Sequence, residues 1–457
     1  MGVINNINKL FNNEKYFMIV NFLLKLILII LSLLFGIIYK MYFINDNYNY
    51  NYDYLNSKIR IGIVSQSLKN GGSERQTSLL LHYFNKVKIF ELFLFTFKEK
   101  EKDEYKINNN THRIIIKNNL NELLIENNID ILIYQLYNKN EMQDLNKLNK
   151  IKTIFINRSC FLHWIYYNKT FVYKAIYNIY KKSKYIISLI PFENEYLFKK
   201  WGINSILMNN FIPYIYESIV PSDLSSKTII MIGRADDKIK RFELGIKAMK
   251  YIISEIPDCE MKIISEINNN DYLNKLVEEL NLENNIKYVG YTSNPQNYYK
   301  NASLHIFPTL VEAFPNVLSE TLIFGIPTIL VGLDYVTTAK GGGIIIIYDD
   351  SPISVANIAI KILKNKRFRK ILGRDARKNI KRFRNNILLN KWVKLIFSIY
   401  KGYDYYEELR SLDKKIDEKD SILVLENQIK LLKNRTSKFN NISINDIENF
   451  TFMENLK

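Results

Sequence analysis

Short apolar runs bounded by polar turns alternate with longer amphipathic stretches from about residue 58 to residue 400. Residues 60–64, 90–97, 129–137, 152–157, 184–189 and 205–208 are rich in Ile, Phe and other β-formers and have the length of buried strands. A second series follows at 228–232, 261–265, 286–289, 303–307 and 344–348. Helical patterns lie between the runs, as at 77–84 and 191–202. Strands alternating with helices predict open parallel sheets, with the ligand crevice at the carboxyl ends of the strands. The polar run 221–227 separates the two series and predicts a hinge within 213–227. The chain thus reads as an α/β protein with one domain over 58–212 and another over 228–385.

Both flanks depart from this pattern. Residues 17–44 are predominantly apolar, and only Ser32 and Gly36 interrupt the dense part, 26–39, which Lys25 and Lys40 flank. Extended on both sides, the run reaches the ~20 residues that a bilayer requires. No small-residue cleavage site follows, and a polar Asn/Tyr linker occupies 45–57. The expectation is a retained single-pass membrane anchor at 17–44 behind a polar segment, 1–16; a buried helix of a soluble domain is the competing reading. Lys9 and Lys15 on one side face Lys40, Lys58 and Arg60 on the other, which leaves the orientation open. At the other flank, 386–401 predicts a closing helix. Residues 402–457 carry mixed charges and a loose heptad at 422–432 that predicts a self-associating helical tail.

The chemistry concentrates in 303–325. A strand runs to Phe307, the chain turns at Pro308-Thr309, and a helix begins near Pro315, expected at the first helical position, where its missing N–H costs nothing. Gly325 and Pro327 close that helix. Glu312 lies in the loop before it and Glu320 in its early turns, with seven residues between them. The free N–H groups of Asn316, Val317 and Leu318 favour an anion such as a phosphate. A loop carboxylate for sugar hydroxyls, amides for a diphosphate and a second carboxylate for ribose hydroxyls together suit a nucleotide-sugar. Two solvated glutamates on a strand-loop-helix unit are the bland alternative.

With Phe314-Pro315-Asn316-Val317 between the two glutamates, the stretch resembles the E-x7-E signature of the retaining GT-B glycosyltransferases, group 1 or family 4. Gly71-Gly72-Ser-Glu-Arg75, after the first strand, is similar to that family's Gly-Gly-x-Glu-Arg loop. Gly233-Arg234, with Lys240 following, resembles its Gly-Arg-x(5)-Lys segment. The resemblance implies two Rossmann-like domains facing across a cleft, the first for the acceptor and the second for the donor. It implies that Arg234 and Lys240 hold the leaving diphosphate, that Glu312 contacts the transferred sugar, and that Gly71, Gly72, Phe314, Pro315, Asn316, Val317 and Glu320 line the donor site. The partners implied are a nucleoside-diphosphate sugar, UDP- or GDP-linked, and a glycan, lipid-linked or protein-linked acceptor; no cofactor and no metal are expected. Asn209 stands where relatives carry an asparagine before the linker.

Two departures matter. Relatives carry a histidine just after the strand at 152–157; here the position reads Asn157-Arg158-Ser159, and the nearest histidine is His163, which could take the role after a loop shift or could be a packing residue. Arg241 stands where relatives often have glycine.

The net charge of +18 has one clear focus, the basic residues of 361–384. Nothing there resembles a base-reading motif, so no nucleic-acid partner is expected; an anionic lipid surface and a solvated helix face remain open. Cys160 and Cys259 are too few for a disulfide framework. Outside the glycosyltransferase reading stand a catalytically silent membrane-bound scaffold, which Asn157 favours, a basic nucleic-acid binder, and a GT-B sugar-nucleotide epimerase.

Overall fold

The computed structural model describes residues 57–436 apart from 70, 118, 136–150, 168–169, 214–217, 235–237, 266–270, 293, 404–408 and 410–417. The anchor expected at 17–44 lies outside the described residues. Among those described, no helix is long and apolar enough to cross a membrane.

The first domain is a seven-stranded parallel sheet in the order β3-β2-β1-β4-β5-β6-β7. Its strands are β1 (Ile59–Ser65), β2 (Phe90–Thr96), β3 (His112–Ile115), β4 (Ile131–Tyr134), β5 (Lys152–Ile156), β6 (Tyr185–Ser188) and β7 (Ile206–Leu207). The helices between them are α1 (Gly72–Phe84), α2 (Leu120–Glu126), α3 (Phe161–Tyr166), α4 (Thr170–Lys182) and α5 (Pro191–Trp201). The central strands carry almost continuous apolar sequence because helices cover both faces of a parallel sheet. Ile61, Ile63, Leu132 and Ile133 are accordingly fully buried.

The second domain repeats the plan with six parallel strands in the order β10-β9-β8-β11-β12-β13. These are β8 (Thr228–Ile232), β9 (Glu260–Ile264), β10 (Ile286–Tyr288), β11 (Leu304–Phe307), β12 (Thr328–Val331) and β13 (Ile344–Ile347). With them come α6 (Phe242–Glu255), α7 (Asp271–Glu279), α8 (Gln296–Lys300), α9 (Asn316–Ile323), α10 (Pro352–Lys364) and α11 (Lys366–Ile380). In both sheets the chain first builds outward in one direction and then returns to the other side of its first strand. The reversal falls between β1 and β4 and between β8 and β11, the places where an open α/β sheet forms its ligand crevice.

α12 (Asn385–Lys401) returns to the first domain, as the closing helix should. The Trp392 ring meets the edge of Phe84, Lys391 Nζ donates to the Leu207 carbonyl at 2.7 Å, and Lys152 Nζ caps the Ile399 carbonyl at 2.8 Å.

Several expectations need correction. α1 begins at Gly72, five residues before the amphipathic pattern becomes readable, so the Gly-Gly pair is the start of a helix and not a free loop. Pro315 is the N-cap of α9 with φ −70° and ψ 120°, and Asn316 is its first helical residue. β3 is an edge strand that the apolar pattern did not announce, because His112 and Arg113 interrupt it. The tail is helical at α13 (Glu418–Arg435), but its apolar stripe does not await a second chain. Leu425, Ile429 and Leu432 are buried in one cluster with Phe192 and Tyr196 of the first domain and Leu333 and Tyr335 of the second. The basic segment is also less uniform than it reads. Arg369 is buried and donates to the Leu224 and Leu363 carbonyls, while Arg377 and Arg382 donate to those of Ile323 and Thr337. Arg369 and Arg377 thus place their charge on carbonyl oxygens at helix ends, while Arg382 stays exposed.

Candidate functional site

At the carboxyl ends of β8 and β11 the structure brings together two of the side chains the sequence singles out. The 3-10 turn Lys238–Lys240 follows β8, and the Lys240 ammonium pairs with the Glu312 carboxylate from the loop after β11. Thr309 Oγ1 donates to the same carboxylate at 3.2 Å. The backbone of Glu312 is fixed independently. Its N–H donates to the Tyr335 hydroxyl at 3.2 Å, and that hydroxyl donates to the Glu312 carbonyl at 2.8 Å. A carboxylate held at backbone and side chain beside a half-buried ammonium has a defined place in the crevice. Arg234, directly after β8, is exposed, and its charge acts on Glu74 of α1.

Glu320 is deeper, with 1% of its surface exposed. The Tyr299 hydroxyl of α8 donates to one of its oxygens, and the Arg75 guanidinium of α1 lies 3.1 Å from the other. Burial pushes the Glu320 carboxyl up, while Arg75 and then the Tyr299 hydrogen bond pull it down. The Arg75 guanidinium also lies over the Tyr105 ring, 5.6 Å from its centroid. Glu312 thus pairs with the turn after β8, and Glu320 with α8 and α1.

The start of α9 is tied to the first domain by amide side chains. Asn316 Nδ2 donates to the Gly72 carbonyl at 3.0 Å, and Asn316 Oδ1 accepts from Gln76 Nε2 at 2.9 Å and from Asn210 Nδ2 at 3.3 Å. Asn210 Nδ2 also reaches the Phe314 carbonyl at 3.1 Å. Behind it, Arg158 Nη1 donates to Asn210 Oδ1 at 2.6 Å and Arg158 Nε to Gln135 Oε1 at 3.0 Å. These linked amides and the guanidinium fix the start of α9 against the first domain, since each buried polar group left without a partner would cost about 1–3 kcal/mol. Space is tight on the Asn316 side of Gly72, while at Gly71 only the mobile end of Glu74 is near. A Cβ on Gly72 would stand 3.3 Å from Asn316 Nδ2, and one on Gly71 would stand 1.7 Å from Glu74 Oε2. Phe314 and Pro315 are buried, and the Phe314 ring packs edge-on against Phe383. What Phe314 turns toward the first domain is its carbonyl. Val317 is half-buried.

The histidine position after β5 is filled by Asn157, whose Nδ2 donates to Glu193 Oε1 at 3.3 Å while its Oδ1 accepts from the Ser159 N–H at 3.0 Å. Burial pushes the Glu193 carboxyl up to about 8, with the Asn157 hydrogen bond opposing. His163 sits one turn into the short α3 with its ring 4.9 Å from that of Tyr167, an aromatic packing contact. Among the described residues no cluster of three or more His, Cys, Asp or Glu is placed to hold a metal ion.

Arg75, Gln76, Gln135, Arg158 and Asn210 were not foreseen as site residues. The Gly-Gly-x-Glu-Arg string does contain Arg75, but nothing in its spacing reports a partner in the other domain. For the linker asparagine, the network uses Asn210 where Asn209 was expected.

Residues 216–379 match the profile of the family described as glycosyl transferases group 1. Among curated proteins, the poly(glycerol-phosphate) alpha-glucosyltransferase of Bacillus subtilis is 25% identical over 237 residues, 50% of this chain and 33% of that protein. The N-acetylgalactosamine-N,N'-diacetylbacillosaminyl-diphospho-undecaprenol 4-alpha-N-acetylgalactosaminyltransferase of Campylobacter jejuni is 33% identical over 119 residues, 26% of this chain and 31% of that protein. The chain spans between 30% and 50% of the length of the curated relatives it matches. Among solved structures, the sucrose-phosphate synthase of Thermosynechococcus elongatus superposes with a TM-score of 0.63 at 15% identity, over 76% of this chain and 100% of that one. Anabaena HepE in complex with UDP and glucose gives a TM-score of 0.59 at 14% identity, over 74% and 99%. The fold is therefore the two-domain GT-B architecture, and its second domain carries the glycosyl transferases group 1 match.

Proposed function

We propose that the protein is a retaining glycosyltransferase that moves a sugar from a nucleoside-diphosphate sugar to a glycan or lipid-linked acceptor. The observation that carries the reading is the Lys240–Glu312 pair, built from the two loops that flank the β8/β11 reversal. In this reading Glu312 receives hydroxyls of the transferred sugar and Lys240 turns to the diphosphate. Breaking the sugar–phosphate bond leaves negative charge on the departing diphosphate. Lys240, Arg234 and the amides that open α9 stabilise that charge as it develops. The acceptor oxygen attacks from the face the phosphate leaves, its proton passing to the departing phosphate oxygen, so the anomeric configuration is kept. Glu320 accepts the ribose hydroxyls.

A UDP-linked donor draws support from the HepE structure, which contains UDP, and a lipid-diphosphate or polyol-phosphate acceptor from the names of the two curated relatives. The basic exposed face of α11, with Lys366, Arg367, Lys370, Arg374 and Lys378, suits the anionic surroundings of a lipid-linked acceptor. Binding without turnover is the second reading, favoured by Asn157, which cannot serve as a histidine does.

Titration calorimetry of UDP, GDP and ADP against the full chain and the Glu320→Ala variant tests the donor assignment. One nucleotide should bind the wild type and lose affinity by about tenfold or more in the variant. Equal binding by both would remove Glu320 from the donor site.

A further inference from the structure

Helix α13 lies outside the two βα domains, yet it reaches the carboxyl-end loops of the second sheet at two separate points. Gln428 Nε2 donates to Asp334 Oδ1 at 2.8 Å, and Asp334 adjoins Tyr335, whose hydroxyl holds both the N–H and the carbonyl of Glu312. One helical span on, Arg435 donates to the Val331 carbonyl at 3.1 Å and the Tyr348 carbonyl at 3.3 Å, and its Nε lies 3.3 Å from Asp350 Oδ1. Asp350 also takes both terminal nitrogens of Arg241, the residue next to Lys240. Arg435 is buried, with 1% of its side chain exposed, and the helix approaches so closely that a Cβ on Gly332 would stand 2.6 Å from its Nη1.

We infer that α13 is a positioning element for the donor site, with Gln428 setting Glu312 through Tyr335 and Arg435 setting Lys240 through Asp350 and Arg241. The inference rests on the glycosyltransferase reading for its catalytic consequence, but not for the coupling itself. An apolar clip would need only Leu425, Ile429 and Leu432. Two buried polar side chains aimed at the loops that carry Lys240 and Glu312 add geometric specification beyond that. The same helix packs on α5 of the first domain, which places the strap across both halves of the molecule.

The test uses the full chain with Gln428→Ala, Arg435→Met and the conservative Arg435→Lys. Hydrogen exchange is followed in peptides covering 308–313 and 238–242, with α1 as the internal reference. The amide of Glu312 should exchange about tenfold faster in Gln428→Ala, and the 238–242 segment should loosen in Arg435→Met and recover only in part in Arg435→Lys, whose single ammonium can keep the Asp350 pair but not both carbonyl contacts, while α1 is unchanged. Unaltered exchange in both segments overturns the inference whatever the protein's chemistry. In the same variants the kcat for sugar release from UDP-, GDP- and ADP-sugars should fall about tenfold, with the affinity for the bare nucleoside diphosphate within about twofold of wild type. Nucleotide affinity and turnover falling together with the melting temperature would reduce α13 to a structural clip. Altered exchange in a protein that binds none of the nucleotides would keep the coupling and remove the glycosyltransferase reading.

Discussion

The Arg75 guanidinium lies 3.1 Å from the carboxylate of Glu320, and the two residues come from different domains. The carboxylate assigned to the ribose therefore already has a cationic partner, and a nucleotide entering there must share or displace it. A charge pair this deep contributes less to net stability than its Coulomb energy suggests, but removing one member leaves the other uncompensated at a cost of about 3–5 kcal/mol. Arg75→Ala should accordingly lower the melting temperature of the protein alone and tighten binding of its nucleoside diphosphate by about tenfold, because ribose hydroxyls then relieve a stranded carboxylate. Calorimetry reads both. Weaker binding in the variant would instead make Arg75 a donor ligand in its own right.

For the Lys240–Glu312 pair, stability and activity should separate. The two side chains are mostly buried, so breaking the pair should cost about 1.5–3 kcal/mol in chemical denaturation. Sugar transfer in Lys240→Ala should fall about 100- to 1000-fold, since the lost charge faces the leaving diphosphate only as the bond breaks. A large stability loss with little change in turnover would place the pair in the scaffold.

Arg241 occupies the left-handed region at φ 52°, ψ 46°, where relatives often carry glycine. Its two hydrogen bonds to Asp350 offset that backbone strain. Both Arg241→Ala and Arg241→Gly lose those bonds, but only alanine keeps the strain. Arg241→Gly should therefore be the more stable of the two by about 1 kcal/mol, which paired urea melts resolve. Equal stabilities would mean that the turn relaxes once the arginine is gone.

Glu193 gives the protein a pH signature. Between its ordinary value of 4.5 and about 8, the folded protein holds a proton that the unfolded chain has released. Stability should fall as pH rises through that window, by up to about 1.4 kcal/mol per unit for one proton. Buried His305 acts oppositely, since burial lowers it to about 3 and stability is lost as pH falls below 6.5. Denaturation series between pH 6.5 and 8 separate the first effect from that of His305, and Glu193→Gln should flatten the slope there. An unchanged slope would assign it to another group.

Much of this fold is legible in the residues because parallel strands buried on both faces write themselves as uninterrupted apolar runs. Eleven of the thirteen described strands correspond to such runs, among them 60–64 and 228–232. β12 follows Pro327 too closely to stand out, and β3 is broken by His112 and Arg113. Within the site, Glu312, Lys240, Gly72 and Asn316 were readable because a loop-bound carboxylate, a cation after a strand and glycines at a close approach are local features. Arg75, Arg158 and Asn210 were not, because each acquires its role from a partner far along the chain: Arg75 meets Glu320, and Asn210 meets Phe314 and Asn316. The stripe of α13 was visible, but an apolar stripe does not say whether its partner is a second copy or the same chain. Only the burial of Leu425 and Leu432 beside Phe192 and Leu333 answers that.

The central claim is tested most directly by incubating the full chain with UDP-, GDP- and ADP-linked sugars and measuring binding and slow release of free sugar beside Glu320→Ala and Arg234→Ala. One nucleotide-sugar should bind and be slowly hydrolysed, with both properties lost in the two variants. A well-folded protein that binds none of these donors would contradict the claim.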